Sequence, residues 1–113
     1  MDTRLPAHIE VTGLIRAVDA QGGFATVLAK GERDAGTILV VCCDKGANTR
    51  IYERMPQADG TREWVNTKSQ GTDNITEISE YLARRKQQDT DLWIVELDIA
   101  DAQRFIGIDH AGA

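Results

Sequence analysis

The chain has 113 residues, of which 42% are apolar and 27% charged, with a formal net charge of −5. That size supports one hydrophobic core, and that balance excludes a disordered or fibrous chain. It also argues against a duplex-binding protein, whose affinity rests on a basic surface. The longest apolar run, Ile38 to Cys43, is far below the ~18 residues that suggest a membrane span. Asp2, Arg4 and the segment Leu5-Pro6-Ala7-His8 contain no apolar leader, so the expectation is one cytoplasmic domain over residues 1–113, with residues 99–113 as a loosely packed C-terminal arm.

Within residues 9–21, Val11, Leu14, Ile15 and Val18 fall at helical spacings, with Glu10, Arg16, Asp19 and Gln21 left for the wet side. This predicts a first helix, although residues 8–12 read equally well as an extended lead-in with the helix starting near Thr12. Gly22 and Gly23 then supply the left-handed backbone with which helices commonly end. Residues 24–29 and 37–42 read as strands, both rich in side chains that suit a pleated surface. Ile38, Leu39, Val40 and Val41 show no polar alternation, which places the second strand in the middle of a sheet with protein on both faces. The connection over residues 30–36 carries Gly31 and Gly36 and is short enough for a hairpin, so these two strands are expected to be antiparallel neighbours.

Residues 44–48 read as a turn, followed by strands over residues 50–55 and 62–67 joined around Asp59-Gly60. A two-residue turn there sets Met55 opposite Trp64, and a four-residue loop sets Arg54 opposite Glu63; both registers stay open. Alternation of apolar and charged residues predicts one solvated face for this pair. Residues 68–73 are polar, contain Gly71 and read as a loop. In the second helix Asn74 is the predicted cap with Glu77 reaching back, and Ile75, Ile78 and Leu82 form the apolar stripe. Arg84-Arg85-Lys86 closes its last turn, where cations complement the helix dipole. Residues 92–97 are apolar at nearly every position and predict an interior fifth strand. Beyond Asp98, Phe105, Ile106 and Ile108 are scattered among small and charged residues.

The fold class that results is α+β: a mixed, mainly antiparallel five-stranded sheet with two helices, sandwich-like, in the order α-β-β-β-β-α-β. If both helices share one face, the other side of strands two and five needs a cover, either the C-terminal arm or a second copy of the chain.

No residue pattern singles out a catalytic centre, a cofactor or a metal. Asp34, Asp44 and Lys45 are the residue types of a metal-dependent nuclease, but that chemistry needs an acid and a lysine one spacer apart on one strand face, whereas Asp44 and Lys45 are adjacent. His8, His110, Cys42 and Cys43 are ligand types without ligand spacing. Ser69 and Ser79 lack a glycine-flanked elbow and a local histidine. Cys42 and Cys43, adjacent on a strand, point to opposite faces, which disfavours pairing and suits two small buried residues. Trp64 and Trp93 read first as packing residues, and a partly exposed tryptophan would instead mark an interaction surface. The best surface candidate is the loop 30–36. Its Lys30, Arg33 and Asp34 are the groups that could bind an anionic small molecule or a partner peptide, against the ordinary reading of a polar turn kept soluble by its charges.

The residues Leu5-Pro6-Ala7-His8, Leu14-Ile15-Arg16, Gly22-Gly23-Phe24-Ala25-Thr26-Val27-Leu28, Lys30-Gly31, Asp34-Ala35-Gly36, Asp89 and Asp91-Leu92-Trp93 with Val95-Glu96 together resemble a family of small bacterial proteins known as domain of unknown function 1491. The likeness runs from Leu5 to about Asp98. The resemblance implies a compact cytoplasmic bacterial protein and carries no activity, cofactor or partner; Cys42-Cys43 and the tail after Asp98 depart from the family's pattern. The functional expectation is a non-enzymatic protein-interaction domain that forms a homodimer, or meets another protein, through the sheet edge or an uncovered face. The alternative is a small ligand-binding protein or enzyme with its site beside the loop 30–36, and a nucleic-acid role ranks third.

Overall fold

The two most apolar runs of the chain become the innermost strands of one sheet. The structure, a computed structural model, describes residues 5–70 and 75–108. Its elements are α1 (Ala7–Ala20), β1 (Phe24–Ala29), β2 (Ile38–Asp44), β3 (Ala47–Pro56), β4 (Arg62–Ser69), α2 (Ile75–Gln88) and β5 (Trp93–Asp98), followed by a short 3₁₀ turn, Ala102–Ile106. The five strands pair in the order β1-β5-β2-β3-β4. β5 runs parallel to β2, and the other neighbouring pairs are antiparallel. The α+β class and the element order match the expectation from sequence.

Successive strand residues point to opposite faces, and both faces of the sheet centre are filled. Ile38, Val40 and Cys42 of β2 join Trp93, Val95 and Leu97 of β5 beneath Val11, Leu14 and Val18 of α1. Leu39 and Val41 join Ile51, Ile94 and Leu92 beneath Ile78 of α2. Each fully buried aliphatic side chain in these layers contributes roughly 1.5–3 kcal/mol, which is why strands without polar alternation end up here. The helices therefore lie on opposite faces, so the bare side that would follow from two helices on one face does not arise at β2 and β5. Phe105, Ile106 and Ile108 pack against the α1-side layer, around the buried Ala102.

β1 and β2 are not hairpin neighbours, contrary to the expectation, because β5 lies between them. A strand that is apolar on both faces needs two covered faces and two hydrogen-bonding neighbours, and the slot between β1 and β2 supplies both. The β3–β4 register also differs from both sequence alternatives: Arg54 pairs with Trp64, and Met55 with Glu63. The reason is a loop of intermediate length. The N–H of Gly60 donates to the carbonyl of Gln57, Gly60 takes φ +88, and the N–H of Gln57 donates to the carbonyl of Thr61 at 2.7 Å, a turn closed by a left-handed glycine. Lys68 and Ser69, read as loop, belong to β4. Gly71, the cap Asn74 and the side chain of Ile75 lie outside the described residues; Leu82, half-buried, extends the stripe that Ile78 begins.

Candidate functional site

Because β5 separates β1 from β2, the chain must cross over the start of β5, and the loop 30–36 makes that crossing. It passes so close to the turn before β5 that a Cβ on Gly31 would lie 2.1 Å from the Asp91 carbonyl oxygen, and one on Gly36 2.4 Å from the same atom. Only glycine fits at such an approach. The Glu32 N–H donates to the Asp91 carbonyl at 2.9 Å, and the Trp93 indole N–H donates to the Glu32 carbonyl at 2.7 Å. The Lys86 ammonium gathers the carbonyls of Lys30, Thr90 and Leu92 at 2.9, 2.8 and 2.8 Å. The Glu32 carboxylate folds back onto the N–H groups of Ala35 and Asp34, and the Ala35 contact foremost holds its carboxyl below the ordinary value.

The same loop finishes the start of α1. Pro6 at the N-cap offers no side-chain oxygen, and the orphan N–H groups of Ala7 and His8 donate to the carbonyls of Asp34 and Arg33 at 3.0 and 2.9 Å. One connection thus ties together β1, β5, α1 and the end of α2.

The three residues singled out from sequence do not converge on one site. Lys30 and Arg33 line a depression of about 390 Å³ between α1 and β1, whereas Asp34 lines a different one of about 350 Å³ beside Glu10 and Arg54. In the second depression Arg54 grips Glu10 in a two-pronged pair at 2.7 and 2.9 Å, while its guanidinium also stacks 4.8 Å from the centre of the Trp64 ring. The Asp34 carboxylate stands 3.9 Å from both Arg33 Nε and His8 Nδ1, and the same His8 nitrogen is 3.1 Å from the Arg33 carbonyl.

The other chemical candidates disperse. Asp34 precedes β2 and Asp44 ends it, so the two carboxylates sit at opposite ends of a strand, and Lys45 is in the turn with φ +53. Lys45 is fixed there through its backbone N–H, which donates to the Asp98 carboxylate at 2.6 Å. Among the described residues no group of three or more His, Cys, Asp and Glu side chains could hold a metal ion, and His110 lies outside them. Cys42 and Cys43 are free and buried; burial pushes their thiols up to about 12 and about 11. Ser69 closes β4 with its hydroxyl on Asn66, and Ser79 lies within α2. Trp93 is buried and Trp64 packs at the margin of the α1-side layer.

Sequence reasoning missed Glu53. This β3 carboxylate is only 4% exposed and accepts hydrogen bonds from the Tyr81 hydroxyl, from Thr67 at 2.8 Å and from Arg85 Nε at 2.8 Å. Burial pushes its carboxyl up, but the hydrogen bonds from Tyr81, Arg85 and Thr67 and the Arg85 charge outweigh that and hold it below the ordinary value. The cluster is a brace that fastens α2 to β3 and β4. No local pattern announces it, because Tyr81 and Arg85 lie 28 and 32 residues further along the chain.

The remaining feature is an edge. Among the described residues β1 pairs with β5 on one side only, and it bears no charged residue: Phe24 is 75% exposed, Leu28 48% and Val27 37%. The register shifts between Val27 and Ala29, so Leu28 is a bulge residue, and it opens onto a depression of about 260 Å³ shared with Val41, Ile78 and Leu82. The opposite edge, β4, carries Arg62, Glu63 and Lys68.

Residues 5–107 match the model of a family described as "protein of unknown function (DUF1491)". The crystal structure of a DUF1491 family protein from Caulobacter crescentus CB15 is similar with a TM-score of 0.80 and 31% identity, over 92% of this chain and 96% of that one. An NMR structure of a DUF1491 family protein from the same organism gives 0.78 and 30%, over 92% and 94%. The solution structure of a protein from A. tumefaciens gives 0.73 and 31%, over 91% and 92%. No curated protein matches the chain.

Proposed function

This chain belongs to the DUF1491 family, and we propose that it acts as a non-enzymatic protein-interaction domain that pairs with a second copy of itself through the edge strand β1. The observation that carries the reading is the contrast between the two edges. An edge strand presents a row of unpaired N–H and C=O groups, which proteins commonly blunt with charge. β4 is blunted in this way, whereas β1 is uncharged and displays Phe24, Val27 and Leu28 in a chain with 27% charged residues. An uncharged apolar edge offers nothing to recruit a charged partner. Its match is another such edge, and a two-fold axis lays β1 antiparallel to its own copy. The bulge at Leu28 interrupts the regular ladder, so the stretch from Phe24 to Val27 does the pairing and Leu28 adds apolar contact beside it. A non-enzymatic role is supported by Glu10, Arg54, Glu53 and Arg85, whose charges are consumed in ion pairs with one another. A bacterial, cytoplasmic setting fits the family resemblance and the two unpaired cysteines, which suit a reducing compartment.

Sedimentation velocity across the micromolar range tests the reading. The wild-type chain is expected to sediment as a dimer, and Phe24→Lys and Leu28→Lys as monomers with thermal stability near wild type, since both side chains are exposed. A wild-type chain that stays monomeric throughout, or a dimer indifferent to both substitutions, would overturn it.

A further inference from the structure

α1 does not cover the whole of its side of the sheet. Between it, the end of β1 and the loop 30–36 lies the open depression of about 390 Å³, within the size range in which proteins hold small molecules. Its floor is apolar, with Val11 and Ile15 from one face of α1, Val27 from β1 and the Trp93 ring from β5. The Trp93 N–H is already bonded to the Glu32 carbonyl, so the indole offers only apolar surface.

Lys30 and Arg33 stand at the rim, beside His8. Among the described residues the Lys30 ammonium has no carboxylate partner, and the Arg33 guanidinium has only the loose contact with Asp34 at 3.9 Å, between two exposed side chains. Glu32, the other carboxylate of the loop, is turned onto backbone N–H groups. The residues that line the hollow thus include two cations and no carboxylate, set against an apolar floor.

We infer that this depression binds a small organic monoanion whose aromatic or branched-alkyl body fills the space over Val11, Ile15, Val27 and Trp93 and whose carboxylate is received by Lys30 and Arg33. Cations alone would serve any phosphate. The apolar floor cannot replace the hydration of a polyanion, and it selects a carboxylate carried on a hydrophobic body.

Proton–nitrogen correlation NMR of the full chain, titrated with phenylbutyrate, its neutral analogue phenylbutyramide and inorganic phosphate, tests the inference. A Trp64→Phe variant identifies which indole N–H belongs to Trp93. Phenylbutyrate is expected to give saturable shifts at that indole and at Val11, Ile15 and Val27, with the amide roughly tenfold weaker because it lacks the charge-assisted contact. Lys30→Gln and Arg33→Gln, both exposed positions, should each weaken the acid several-fold and leave the amide unchanged, and phosphate should leave the Trp93 signal in place. Absence of saturation with the acid, equal binding of acid and amide, undiminished binding by a chain carrying both Lys30→Gln and Arg33→Gln, or displacement of the Trp93 signal by phosphate would each overturn it. A monomeric wild-type chain would remove the self-pairing of β1 and leave this titration unaffected.

Discussion

Replacing Gly31 and Gly13 by alanine makes one chemical change at two places, and the structure assigns the two opposite signs. At Gly31 the added methyl carbon would start 2.1 Å from the Asp91 carbonyl oxygen and 2.6 Å from the Leu92 carbonyl carbon, where ordinary contact begins at 3.4 Å. Both obstacles are backbone, so no flexible side chain can yield, and the loop or the turn must retreat by more than about 1 Å. Retreat breaks the Glu32 N–H bond to Asp91 and the Trp93 N–H bond to Glu32. Two such bonds at about 0.5–1.5 kcal/mol each, with about 1–3 kcal/mol of overpacking, give a destabilisation of roughly 2–6 kcal/mol. That is a large share of the roughly 5–15 kcal/mol that holds a domain folded. At Gly13, exposed in the middle of α1, nothing lies within 4 Å of the new carbon. There alanine should add roughly 0.5–1 kcal/mol through helix propensity. Urea unfolding followed by circular dichroism, analysed with a common m-value, should place the two midpoints on either side of wild type. If Gly31→Ala unfolds within about 0.5 kcal/mol of wild type, the loop is not wedged against β5 and the account of its two glycines is wrong.

Two further expectations concern buried titratable groups. Glu53→Gln should cost about 1–3 kcal/mol at neutral pH, because the Arg85 charge and the Tyr81 and Thr67 hydroxyls lose their anionic acceptor. Since the folded carboxyl is held below its ordinary 4.5, this stabilisation is complete above that value and fades as pH falls through the lower folded value. The urea midpoints of wild type and Glu53→Gln should therefore converge in acid, and a gap that persists unchanged to low pH would contradict the assignment. With burial pushing the thiols up to about 12 and about 11, Cys42 and Cys43 are protonated at neutral pH. An aromatic disulfide reagent should label them only as fast as the chain opens, and rapid labelling of the native protein would refute the burial of this strand.

The elements themselves were legible from local pattern, and the physical reason is that periodicity and turn chemistry act over a few residues. The helical spacing of Val11, Leu14 and Val18, the stop at Gly22-Gly23 and the unbroken apolar run from Ile38 mark α1, its end and a doubly covered β2. Conventional hairpin length, by contrast, misread the loop 30–36, because a loop that crosses a foreign strand and one that turns back on itself use the same glycines and charges. Only the distant run beginning at Leu92, competing for a position covered on both faces, decides between them. The split of Lys30 and Arg33 from Asp34, the Glu53 brace and the bare edge of β1 belong to that same class of fact. Each depends on which strand stands beside which, and that choice is made by the burial of whole apolar faces against one another, a global competition that no window of neighbouring residues contains.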